Sequence, residues 1–155
     1  MERFRVYAWS LSRFFQAYWR MRVLAIDYGR KRCGVAVTDV LQIAANSLPV
    51  VPTARLLPFL KDYCAKEPVE RIIVGEPRTV RGEESESMRY IRPFLGQLHK
   101  ALPQIPVEMV DERFTSVIAH REMIAAGFKK SDRQRKGLAD EMSAVLILTT
   151  WLESR

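Results

Sequence analysis

From Met21 onward, short apolar blocks alternate with polar turns, and the blocks change period along the chain. Val23-Leu24-Ala25-Ile26 and Val35-Ala36-Val37-Thr38 are unbroken runs of strand length, and they predict strands over Val23–Asp27 and Cys33–Asp39 joined by a glycine-containing turn. A third strand is expected over Ile43–Val51, bounded by Pro49 and Pro52. Three strands in immediate succession require antiparallel pairing. A helix follows over Thr53–Lys66, which tolerates Pro58 only near its first turn. Arg71-Ile72-Ile73-Val74 predicts a buried strand. Met88, Ile91, Leu95 and Leu98 recur at helical spacing and predict a helix over Glu83–Lys100, with Glu83, Glu84 and Glu86 in its first turn and a kink at Pro93. Val107–Val110 is the fifth strand, Ser116–Ala126 a helix stopped at Gly127, and Leu138–Leu152 the last helix. The order βββαβαβαα implies an α/β protein with a mixed sheet and helices packed on its faces.

Residues 1–20 follow a different pattern. Phe4, Tyr7, Ala8, Leu11, Phe14, Phe15 and Tyr18 share one helical face, with arginines mostly opposite. This segment reads as a basic amphipathic helix or as an added leader, since Met21 would itself serve as a start. Arg13 and Gln16 interrupt the stretch, which is not a secretory signal. The domain itself is expected over residues 21–155.

The chain has 155 residues, 48% hydrophobic and 28% charged, enough for one domain with a core. A formal net charge of +7 favours an anionic partner, nucleic acid first. Cys33 and Cys64 have no paired spacing, so free thiols in a reducing compartment are expected. No zinc spacing or Ser-His-Asp constellation is present, and no apolar run is long enough to span a bilayer.

The candidate chemistry lies at the ends of elements. Asp27 directly follows four apolar strand residues, an unusual place for a merely solvated charge. Asp111 and Glu112 close the fifth strand, and Asp140 opens the last helix on the stripe of Ala144, Ile147 and Trp151. Glu76 follows the fourth strand as a further candidate. Each acid alone has a structural explanation: a cap for Asp140, a surface ion pair for Asp111 or Glu112, an exposed turn for Glu76. Three acids at element ends together point to a shared divalent cation. Cations flank them. Arg30-Lys31-Arg32 adjoins Asp27, and Lys129, Lys130, Arg133, Arg135 and Lys136 precede Asp140, suited to holding phosphates. Asp-x-Gly after a strand also opens the phosphate loop of sugar kinases and actin-like ATPases, which need two such domains and a longer chain.

Taken together these residues resemble the YqgF family of pre-16S rRNA nucleases, also described as Holliday-junction-resolvase-like proteins. Asp27, Gly29, Lys31, Arg32 and Gly34 fill its Asp-x-Gly-x-Lys-Arg-x-Gly pattern. Asp111-Glu112-Arg113-Phe114-Thr115 matches its Asp-Glu-Arg motif, Asp140-Glu141-Met142-Ser143-Ala144 its late helix, and Val74-Gly75-Glu76-Pro77 its Val-Gly-x-Pro turn, where Glu76 replaces a usually apolar residue. The resemblance implies a ribonuclease-H-like five-stranded mixed sheet flanked by helices, and a cytoplasmic hydrolase acting on phosphodiester bonds. It implies RNA as substrate, as pre-16S rRNA or a pre-ribosomal particle. Asp27, Glu112 and Asp140 would hold Mg2+ or Mn2+, with Asp111 and Glu76 as further acids. Arg30, Lys31, Arg32, Arg113 and the Lys129–Lys136 cations would contact nucleic acid. Branched DNA as substrate, or nucleic-acid binding without catalysis, stays open at this point.

Overall fold

The computed structural model describes residues 21–112 and 136–155, with 121, 125–127, 129 and 131 between them. The expected extension at residues 1–20 and most of the Ser116–Ala126 helix lie outside the described residues, as do Arg113, Lys130, Arg133 and Arg135. Five strands, β1 (Arg22–Asp27), β2 (Arg32–Thr38), β3 (Ala45–Pro52), β4 (Val69–Glu76) and β5 (Val107–Asp111), form one sheet in the order β3-β2-β1-β4-β5. The β1–β2 and β2–β3 pairs are antiparallel, and the β1–β4 and β4–β5 pairs are parallel. This is the mixed sheet that the element order implies.

Among the described residues three helices cover it: α1 (Leu56–Lys66), α2 (Met88–Ala101) and α3 (Lys136–Glu153). A short 3-10 turn over Thr53–Arg55 leads into α1, so Pro58 falls on the helix's third residue, where its missing N–H costs nothing. Side-chain alternation divides the core into two layers. On one face Leu24, Ile26, Val35, Ile72 and Val74 pack with Leu56, Leu60, Ile91, Phe94 and Leu98. On the other, Val23, Ala25, Ala36 and Ile73 pack with Ala144, Ile147, Leu148 and Trp151 of α3.

The second helix and the third strand both begin later than expected. The second helix begins at Met88, not Glu83, so no acid lies in its first turn. Residues 77–85 instead form a small hairpin: Thr79 N–H donates to Glu83 O (2.9 Å), Gly82 N–H to Thr79 O (2.8 Å), and Arg78 bridges Glu84. Gly82 takes φ 82°, and this turn uses the backbone groups that a longer helix would need. The third strand begins at Ala45. Ile43 is 73% exposed in a turn whose N–H groups at Leu41, Ile43 and Ala44 all donate to the Asp39 carboxylate (2.8–2.9 Å).

Candidate active site

The same alternation sorts the candidate acids. Asp27 continues the Val23, Ala25 row of β1 and therefore faces α3. Glu112 lies two residues beyond Val110, whose side chain packs in the α3 layer, and its N–H donates to Glu76 O (3.1 Å), extending the β4–β5 pairing by one residue. Glu76 and Asp111 stand opposite each other in register and, by alternation, belong to the α1/α2 face. The Glu76 carboxylate takes two hydrogen bonds from Arg78 Nη2, at 3.0 and 3.1 Å. The structure therefore brings together Asp27, Glu112 and Asp140, and it places Asp111 and Glu76 on the other side of the sheet.

Strand β4 lies between β1 and β5, and Gly75 opens the gap across it. A Cβ at Gly75 would stand 3.0 Å from Glu112 Cδ and 2.7 Å from Ile147 Cδ1. Because that atom is missing, the Glu112 carboxyl reaches over β4 and hydrogen-bonds Asp27. Gly34 does the equivalent on β2. It pairs with Asp27 across the sheet, and a Cβ there would sit 2.7 Å from the backbone carbonyl carbon of Asp140. Gly34 lies inside β2 and admits the backbone of α3. At Gly29 the space a side chain would take is filled by the Arg32 carbonyl.

Burial and charge set the state of the acids. The Asp27 carboxyl is pushed up to about 6, first by burial and then by the negative charge of Asp140, while its hydrogen bond with Glu112 works the other way. Glu112 is pushed up to about 8, first by burial, then by the charge of Asp27 and by their shared hydrogen bond, with a smaller contribution from Asp111. At neutral pH one proton therefore resides mainly on Glu112 and is donated to an ionised Asp27, and the pair titrates as a unit. Asp140 sits in the second turn of α3, not at its start, so it does not cap the helix. Its carboxylate accepts from Arg32 Nε at 2.6 Å.

Gly29, Arg30, Lys31, Arg32 and Asp140 line an open hollow of about 730 Å³. The cationic turn thus adjoins the acids, with different duties for its members: Arg32 holds Asp140, and the Arg30 guanidinium stacks 4.8 Å over the Tyr90 ring. Lys129 is exposed, and the side chain of Lys136 lies outside the described residues. Nothing in the sequence singles out Tyr90, and Gly75 stands there only as part of the Val-Gly-x-Pro turn. Gly75 carried a signal, a glycine next to a strand-end acid, but its purpose depends on a residue 37 positions away in sequence.

The donor set suits a hard divalent cation, since it consists entirely of carboxylate oxygens. Two of those carboxyls are held above their ordinary range, first by burial and then by neighbouring negative charge, and a cation would offset both. Among the described residues no three His, Cys, Asp or Glu side chains converge closely enough to hold an ion as they stand. Asp140 is engaged with Arg32, and the other two with each other.

Comparison with known proteins follows this geometry. The sequence profile of the RuvX family, described as Holliday junction resolvase, matches residues 21–154. The chain is 63% identical over 134 residues to a protein of Phocaeicola vulgatus, covering 86% of this chain and 96% of that one. It is 56% identical over 133 residues to one of Porphyromonas gingivalis, covering 86% and 96%. Both carry the name "Putative pre-16S rRNA nuclease". Among solved structures, T. thermophilus RuvC in complex with Holliday junction substrate superposes with a TM-score of 0.53 at 21% identity, over 87% of this chain and 95% of that one. That likeness shows a ribonuclease-H-like fold, as the resemblance implied.

Proposed function

This chain belongs to the RuvX family and is a nuclease, and we propose that it hydrolyses RNA phosphodiester bonds in maturing the 5′ end of pre-16S rRNA in the cytoplasm. The observation that carries the reading is the hydrogen-bonded Asp27–Glu112 pair reaching across Gly75, with Asp140 and a cationic turn beside it. Relatives at 56–63% identity carry the pre-16S name, and this favours RNA as substrate.

Asp27, Glu112 and Asp140 would hold Mg2+ or Mn2+. Such an ion, when bound, supplies Lewis-acid stabilisation of the phosphoryl oxygens and lowers the pKa of water. The chain's own groups have separate tasks. Glu112 carries the shared proton at neutral pH and gives it up when positive charge enters beside the pair. Arg32 orients Asp140. Arg30 and Lys31 face the open hollow and seat phosphates without reading bases.

The test is metal-dependent cleavage of a precursor rRNA by Asp27→Asn, with the fold checked by circular dichroism. The expected loss is about 100-fold or more. Undiminished cleavage would overturn the mechanism. The family description favours a second reading, cleavage of four-way junction DNA. Running both substrates side by side decides between them: faster turnover of the junction would reassign the substrate and leave the acids in their roles.

A further inference from the structure

Two arginines share one aromatic ring beside the cationic turn. Arg30 lies 4.8 Å and Arg89 4.9 Å from the Tyr90 ring centroid. Arg30 comes from the β1–β2 turn, and Arg89 and Tyr90 from the first turn of α2, so the ring ties two separate segments together. Both arginines are exposed and Tyr90 is half-buried. Among the described residues neither arginine has a carboxylate partner, whereas neighbouring Arg78 and Arg92 are engaged by Glu76 and Glu84. The ring's negative face attracts each guanidinium, but it does not neutralise the two like charges it gathers. The first-turn amides of Met88, Arg89 and Tyr90 are all taken by the carbonyls of Ser85, Glu86 and Ser87, so any anion here is held by the side chains.

We propose that Arg30, Arg89 and Tyr90 form a second phosphate-binding station, which grips the nucleic-acid backbone beside the acid site. Arg30 also lines the hollow that contains Asp140, so one guanidinium borders both places. The backbone then runs from the acids across the β1–β2 turn onto the start of α2. Tyr90 is a positioning residue. Its ring holds the two guanidiniums 4.8 and 4.9 Å from its centroid, which leaves the outward N–H groups of both to meet phosphate oxygens. The station rests on the nucleic-acid substrate proposed above.

The test is binding of a fluorescently labelled precursor rRNA fragment to the full chain in EDTA, followed by anisotropy over a series of salt concentrations. Arg89→Ala should weaken binding and lower the slope of log K against log salt by about 1, the signature of one lost phosphate contact. Tyr90→Leu should also weaken binding although it removes no charge, and Tyr90→Phe should bind like the unaltered chain because the ring remains. Arg92→Ala, which removes a charge already paired with Glu84, should leave the slope unchanged. An unchanged slope in Arg89→Ala, or an equal loss in Arg92→Ala, would overturn the station. So would a Tyr90→Leu variant that binds normally. If the unaltered chain binds no nucleic acid at all, the proposed function falls and the station with it. Thermal melts of each variant separate lost contacts from lost fold.

Discussion

Holding a carboxyl above its ordinary pKa costs stability wherever the unfolded chain would let it ionise. Glu112 rises from 4.5 to about 8 and Asp27 from 3.8 to about 6, so between those limits the folded chain binds more protons than the unfolded one. Stability is therefore greatest below the unfolded values and falls as pH climbs through about 8, at up to roughly 1.4 kcal/mol per pH unit for each such group. Urea melts should show this decline between pH 5 and pH 8. Glu112→Gln, which cannot ionise, should flatten it, and a variant that keeps the full slope would rule out the shared proton. Gly75 sets the same pair in place. Gly75→Ala should cost about 1–3 kcal/mol by crowding Glu112 and Ile147, and it should return the pH profile toward that of Glu112→Gln because the carboxyl is pushed off Asp27.

At the scale of elements, α3 lies close on the sheet because β2 has no side chain at Gly34 and α3 offers Ser143 and Ala144 beneath it. Gly34→Ala meets backbone rather than a movable side chain. It should therefore shift the helix, with a lower urea midpoint and loss of the Arg32–Asp140 ion pair, read as a change in the Asp140 carboxyl resonance. The strands were legible because their apolar runs are continuous, and the inward stripe of Asp140, Ala144, Ile147 and Trp151 was legible because it keeps a period near 3.6. The start of α2 was not, because Glu83, Glu84 and Glu86 look like a first turn until the 77–85 hairpin takes their backbone. Glu112 and Asp111 could not be separated either. Alternation puts adjacent residues on opposite faces, and only the position of α3 distinguishes those faces. Tyr90 looked like an ordinary surface position of an amphipathic helix, since its two cations converge from different segments.

Among the described residues of the whole molecule, α1 and α2 cover one sheet face and α3 alone covers the other. The acids gather at one end of that second face, and Arg30, Lys31 and Arg32 of the β1–β2 turn line the hollow beside Asp140. No described helix is long and apolar enough to cross a membrane. The thiols of Cys33 and Cys64 are free. Of the three proposed ligands, one is brought by the first strand, one lies just past the last strand, and one arrives with the final helix. Removing α3 should thus abolish activity while leaving most strand pairing available. A chain stopped after residue 135 is expected to bind a hydrophobic dye through bare Val23, Ala25, Ala36 and Ile73 and to cleave nothing; residual metal-dependent cleavage would contradict the role given to Asp140.

Translation runs in the same direction as this dependence. A nascent chain completes its fifth strand well before Asp140 is made, and the carboxyl pair stays hydrated until α3 closes over it. On the proposed function the set of three acids is incomplete until α3 has been made and packed on the sheet. The order of the elements thus sets the order in which the three acids become available, and moving α3 ahead of β1 by circular permutation would reverse it.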